Sequence, residues 1–264
     1  MAFIVPIMKR VIATLLAILV LPFAASGQAT QGAPAMELTV VSGLTPPYYG
    51  SDLPGFGHYA VIVRTAFERS GYQVTFHEEN WSRVFQDTAA TRYDVAANVW
   101  FSQERLTRFR FSRPYARNRV MFVKHRDNPV TYADLESAKQ YRLAAVRGSI
   151  IARSFPFQAF YVNDDVAVAR MILRKRVDLG ALEEITAPIL LKEHFPDAYD
   201  RFTFLIEPAE VNESHIMISR AHPNGEALIS AFNRGLDTMI ADGSYARLLT
   251  EAGLEKAMLE VPQN

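Results

Sequence analysis

Apolar residues along this chain recur with two different periods, and the alternation between those periods outlines the fold. Residues 37–42 are β-rich and apolar. They run into Thr45-Pro46-Pro47-Tyr48, a turn whose prolines cannot continue strand pairing. Beyond Gly55-Phe56-Gly57, the side chains of Tyr59, Ile62, Val63, Ala66 and Phe67 share one helical face, and Gly71 is expected to cap that helix. Residues 73–77 read as a strand, 82–90 as a helix and 93–99 as a strand. The order β-α-β-α-β predicts a parallel sheet covered by helices.

A second cycle follows. Residues 142–146 form a strand, and Gly148-Ser149 opens a helix. Asp164 or Asp165 caps another helix over 166–175, and 177–182 is a short buried strand. Between the cycles, Val120, Met121, Phe122 and Val123 mark a long strand at 119–124 that can cross from one half to the other, with 215–219 as the return. Two helices close the chain. The first carries Leu228, Phe232, Leu236, Met239 and Ile240 and stops at Asp242-Gly243; the second carries Tyr245, Leu248 and Leu249 and stops at Gly253. Two α/β cycles joined by two crossing strands predict an α/β protein of two lobes with a cleft between them.

The first residues change the picture of where the protein works. Lys9 and Arg10 precede an uncharged apolar run at 11–25, and small residues follow at Ser26, Gly27 and Ala29. That arrangement fits a secretory signal over 1–27. The run is shorter than the ~18–20 apolar residues a membrane span needs, and Pro22 interrupts it. Lys+Arg and Asp+Glu both number 28, which removes the electrostatic case for nucleic acid or an anionic membrane surface. With no cysteine there is no disulfide framework and no thiolate chemistry. The six histidines are scattered without metal-ligand spacing, and no Ser-His-Asp pattern is legible, so neither a cofactor, a metal nor a catalytic set is expected.

The order of short motifs resembles the family 3 bacterial extracellular solute-binding proteins, known as amino-acid-binding components of ABC importers. Thr45-Pro46-Pro47-Tyr48 resembles the family's Tyr-Pro-Pro-Phe turn, and Gly55-Phe56 its Gly-Phe element. Tyr93-Asp94-Val95 looks like its strand opening. Ser102-Gln103-Glu104-Arg105 resembles Thr-Pro-Glu-Arg, and Phe111-Ser112-Arg113-Pro114-Tyr115 resembles Phe-Ser-Xaa-Pro-Tyr. Arg147-Gly148-Ser149, Arg176-Val177-Asp178 and Ala241-Asp242-Gly243-Ser244 match later landmarks in the same order. The resemblance implies a type II periplasmic binding protein, a Venus flytrap with two hinge strands. Lobe 1 would comprise 36–117 with 214–264, lobe 2 would comprise 118–213, and the hinges would lie near 116–119 and 211–214. It also implies a monomer in the periplasm that serves an inner-membrane ABC permease.

Arg105 is the first candidate for binding. A guanidinium offers a planar fork of donors that matches a carboxylate bidentately, and the family places an arginine here for the ligand carboxylate. With Arg108 and Arg110 close by, a plain surface arginine is the competing reading. Ser149 would add a hydroxyl and free backbone N–H groups, or act as an ordinary helix cap. The family often has two consecutive hydroxyl residues there, whereas Ile150 occupies the second place here. Glu183 stands where amino-acid binders carry an aspartate for the ligand ammonium, although Glu183-Glu184 also reads as a solvated pair. Thr45, Tyr48, Trp81 and Trp100 are expected to line the pocket or to pack in the core. The segment from Asp94 to Arg105 looks one residue shorter than in typical amino-acid binders. Asn98 and Trp100 also stand where small or hydroxyl residues are common. Capture of a small carboxylate-bearing ligand, an amino acid or related organic acid, is the expectation. A dehydratase-like enzyme with Glu183 as general acid/base, and a stand-alone sensory protein, are the alternatives.

Overall fold

The computed structural model describes residues 36–131, 135–147 and 159–259. The expected signal segment and Ser149 lie outside the described residues. In chain order the elements are β1 (Met36–Ser42), α1 (His58–Glu68), β2 (Tyr72–Glu78), α2 (Trp81–Ala89), β3 (Val95–Trp100), β4 (Phe109–Phe111) and β5 (Ala116–His125). The second half has α3 (Leu135–Ala138), β6 (Leu143–Val146), β7 (Ala159–Val162), α4 (Asp165–Leu173), β8 (Leu179–Glu183), α5 (Thr186–His194), β9 (Phe202–Ser219), α6 (Gly225–Ala241) and α7 (Ser244–Glu251).

One sheet runs through the molecule in the order β2-β1-β3-β9-β5-β8-β6-β7, with β4 pairing on β9. β1 is parallel to both β2 and β3, and β6 is parallel to both β7 and β8. The antiparallel ribbon of β5 and β9 joins these two parallel groups, pairing from Ala116↔Ser214 to His125↔Phe202 with register shifts on either side of Met121. The fold is therefore α/β with two lobes, each a parallel group faced by helices and both sharing the crossing ribbon.

Both faces of the inner strands β3, β6 and β8 are covered, which is why they read as nearly continuous apolar runs. Side chains alternate across the sheet. Val40 accordingly joins a core with Ile62, Phe67 and Phe232, while its neighbour Val41 joins Val84, Ala96 and Met217 on the opposite face. The same alternation sends Ala145 to the core of Phe122 and Leu179, and Ala144 to that of Ile172 and Leu191. Two partly buried side chains reach across between the lobes. Trp100 packs on the cluster of Val120 and Phe122, and Ile185 on the cluster of Val40 and Tyr59.

Local signals account for the element ends. Asn80 Oδ1 accepts from the Arg83 N–H (3.1 Å) to start α2, and Asp164 Oδ1 accepts from the Ala167 N–H (2.7 Å) to start α4. Each such cap supplies an acceptor to a first-turn N–H that otherwise lacks one, and contributes about 1 kcal/mol. Helix α1 caps at Arg69, two residues before the expected Gly71, although Gly71 does adopt a left-handed φ of 86°. The largest departure from the sequence pattern is β9, which begins at Phe202 and not near His215. Its first part carries Glu207, Pro208, Glu210, Asn212 and Glu213. A strand that crosses between lobes is partly exposed there, so it has no apolar alternation to betray it.

Candidate functional site

The turn after β1 sets one wall of the cleft. Tyr48 and Tyr49 both donate their N–H groups to Thr45 O, at 2.8 and 3.0 Å. Gly57 follows with φ of 95°, and a Cβ there would lie 2.6 Å from Tyr48 O, so the close approach of this turn to α1 requires glycine. Tyr48 is thereby held in the lobe, its ring stacked on Tyr59 with centroids 4.3 Å apart.

Strand β3 delivers the second wall. Its pairing with β9 shifts register between Ala96 and Val99, and Asn98 in that bulge has a φ of 55°, a conformation asparagine tolerates. The bulge turns Asn98 into the cleft, where its Nδ2 donates to Thr45 Oγ1 at 2.7 Å and its N–H donates to Tyr115 Oη at 2.9 Å. Trp100 Nε1 donates to Asn118 Oδ1 (3.3 Å), which also accepts from Ser214 Oγ (2.6 Å) on the opposing hinge strand. Polar groups at the base of the cleft thus tie both crossing strands to β3.

Arg105 projects from the short helical turn after β3. Its Nη1 donates to Trp100 O at 2.8 Å, and its guanidinium lies 4.2 Å above the Phe85 ring. Stacking on an aromatic face together with a fixed hydrogen bond preorganises the planar fork.

The facing wall comes from β8 and from the first turns of α4 and α5. Glu183 ends β8. Its Oε2 accepts from the N–H groups of Ile185 (3.0 Å) and Thr186 (2.7 Å), and its Oε1 accepts from Tyr48 Oη at 2.9 Å. One carboxylate therefore serves the start of α5 and also reaches the other lobe. Asp165, the first residue of α4, enters the same cavity.

These walls enclose a cavity of about 440 Å³. Thr45, Tyr48, Trp81, Trp100, Arg105 and Glu183, six of the residues picked out from sequence, all line it. Sequence reasoning had no role for Phe85, Asn118 and Asp165 there. Asp165 was read as a possible helix cap, but Asp164 does the capping, and only the packing of α4 on β8 turns its neighbour toward the cavity. Among the described residues no group of three or more potential metal ligands is assembled.

Burial, then Asp164, then Glu183 push the Asp165 carboxyl up from 3.8 to about 6. Burial also raises Glu183, against its hydrogen bonds from Thr186, Tyr48 and Ile185. A carboxyl whose folded pKa lies above its unfolded value binds more protons when folded, so stability falls as pH rises from about 4 to about 6. The contribution from Asp165 reaches at most about 3 kcal/mol. Buried His125 and His215, both lowered by burial, work in the opposite direction over part of this window. The difference between the wild type and Asp165→Asn isolates the effect. Acidification from pH 7 to pH 5 is expected to raise the Tm of the ligand-free wild type relative to the variant. Equal pH profiles would show that Asp165 titrates normally.

A cleft between two α/β lobes, tied by two antiparallel crossing strands and lined by polar and aromatic groups from both sides, defines the class of solute-binding proteins. Residues 46–253 match the family model for bacterial extracellular solute-binding proteins, family 3, and the chain belongs to that family. Two relatives are similar in sequence. A "probable amino-acid ABC transporter-binding protein" of Haemophilus influenzae is 25% identical over 72% of this chain and 73% of its own. The L-cystine-binding protein of Bacillus subtilis is 22% identical over 76% of this chain and 74% of its own. Among solved structures, a histidine kinase sensor domain with similarity to periplasmic binding proteins superposes with a TM-score of 0.72. It is 19% identical and is matched over 85% of this chain and 98% of that one. At that identity the likeness establishes the fold.

Proposed function

We propose that this protein captures a small carboxylate-bearing solute, an amino acid or related organic acid, by closing its two lobes, and delivers it to an inner-membrane ABC importer from the periplasm. The observation that carries this reading is Arg105. Its guanidinium is preorganised on Phe85 and Trp100 at the wall of a cavity whose opposite side bears Glu183 and Asp165. A donor fork facing acidic groups suits a ligand with a carboxylate at one end and a cationic group at the other. The names of the two relatives, an amino-acid transporter-binding protein and an L-cystine-binding protein, agree with it.

The lobe boundaries in this reading lie at 117/118 and 213/214, supported by the ribbon in which Arg117 pairs with Glu213 and Asn118 with Asn212. In this reading Ser149 adds donors from the second lobe. Binding is favoured over turnover because three hydrogen bonds hold the Glu183 oxygens to Tyr48 and to the start of α5, which fixes Glu183 as a static acceptor for a ligand cation and not as a proton shuttle. A thermal-shift screen of the protein lacking residues 1–27, against amino acids and small organic acids, tests the proposal. A true ligand raises the Tm in proportion to the logarithm of its concentration. Solution scattering should show a smaller radius of gyration when that ligand is present. A ligand that binds without compaction would count against lobe closure.

A further inference from the structure

The charged side chains in the interior of the cleft, among the described residues, do not balance once the exposed Arg147 is set aside. Among the described residues the cavity is lined by Arg105, Arg147, Asp165 and Glu183. Arg147 is exposed at the rim, where its Nη2 donates to Tyr161 O (3.4 Å). That leaves one cation, Arg105, and two carboxylates in the interior. The two carboxylates differ in their surroundings. Glu183 accepts three hydrogen bonds, from Tyr48, Ile185 and Thr186. The Asp165 carboxyl receives no hydrogen bond and forms no ion pair among the described residues, while its neighbour Asp164 takes the capping bond of α4. Asp165 is partly buried and lines the cavity.

A carboxylate enclosed in protein without a partner is costly, and closing a cleft over it without neutralising it costs more. We infer that Asp165 is a specificity-determining residue that accepts a cationic group of the ligand, so the site favours amino acids carrying a second positive charge on the side chain. The inference rests on the carboxylate-binding role proposed for Arg105. With the ligand carboxylate on Arg105, a ligand of net charge +1 brings one cation for each of Glu183 and Asp165, and the closed interior is neutral. A ligand with a neutral side chain leaves one carboxylate unpaired or forces it to hold a proton. The raised pKa of Asp165 agrees with a group that lacks its counter-charge until ligand arrives.

L-Arginine and its neutral near-isostere L-citrulline separate these cases by calorimetry on the wild type, Asp165→Asn and Arg105→Ala. The wild type is expected to bind L-arginine at least tenfold more tightly than L-citrulline. Asp165→Asn is expected to remove most of that preference, weakening L-arginine several-fold or more while L-citrulline, no longer facing an unpaired carboxylate, binds no more weakly than to the wild type. L-Ornithine against L-glutamine repeats the comparison at shorter reach. If L-citrulline binds as tightly as L-arginine to the wild type, and Arg105→Ala loses both, the role of Asp165 is wrong and the Arg105 reading stands. If none of the four ligands binds at millimolar concentration, the preference for a cationic side chain is overturned, and the thermal-shift screen with Arg105→Ala decides the Arg105 reading separately. Should Asp165→Asn not fold, the wild-type preference by itself decides the sign.

Discussion

Arg105→Ala is expected to lower affinity for the ligand at least about 100-fold, the equivalent of roughly 3 kcal/mol. The size follows from what the substitution leaves behind. A carboxylate enclosed between two lobes has lost most of its water, and without the guanidinium it meets no compensating charge. Arg105→Lys should recover little. An ammonium cannot present two parallel donors, and it cannot reproduce the flat contact on Phe85. The variant also loses the bond to Trp100 O, which costs about 1 kcal/mol of stability and is separable by denaturant unfolding without ligand. Titration calorimetry with the ligand from the thermal-shift screen reads the affinity directly. Wild-type affinity in Arg105→Ala would mean that the carboxylate binds elsewhere in the cleft.

Gly235→Ala is expected to destabilise the protein by more than about 3 kcal/mol, opposite in sign to the usual effect of this exchange. In an ordinary helix interior alanine is better than glycine by about 1 kcal/mol. Gly235 lies in α6 where that helix crosses α1. A Cβ added there would overlap the carbonyl oxygen of Ala66 and lie 2.6 Å from its carbon and 2.8 Å from its Cα. The obstacle is backbone, so no rotamer change relieves it, and the two helices would have to move apart. Their separation is fixed by the contact of Phe67 with Phe232, centroids 5.5 Å apart, and by the bond from Ser70 Oγ to Ala231 O at 2.7 Å. Moving α1 would also disturb the Tyr59 ring on which Tyr48 stacks. A drop in the urea midpoint with an unchanged slope is the expected reading. A midpoint equal to or above wild type would show that the helices can separate at little cost.

Much of this molecule can be read from residue order alone, for reasons that are local. The helix and strand periods, the turn at Thr45-Pro46-Pro47-Tyr48 and the acidic cap of α4 each depend on neighbours a few residues away, so the sequence carries them directly. The doubled α/β cycle, and with it the class of fold, follows from those pieces. Thr45, Tyr48, Trp81, Trp100, Arg105 and Glu183 stood out by type and context, and all six line one cavity. What a single chain of letters does not reveal is which groups share partners across distance. The first part of β9 lacks an apolar period because it is exposed where it crosses, and only its pairing with β5 makes it a strand. Asn118 is an unremarkable residue in sequence, and it becomes a junction because Trp100 and Ser214 converge on it. Asp164 and Asp165 are indistinguishable as letters. Capping takes one of them, and the packing of α4 against β8 turns the other toward the cleft. Local physics thus fixed the elements and the kind of site, while the long-range arrangement of the sheet decided which carboxylate is satisfied and which is left facing the cavity.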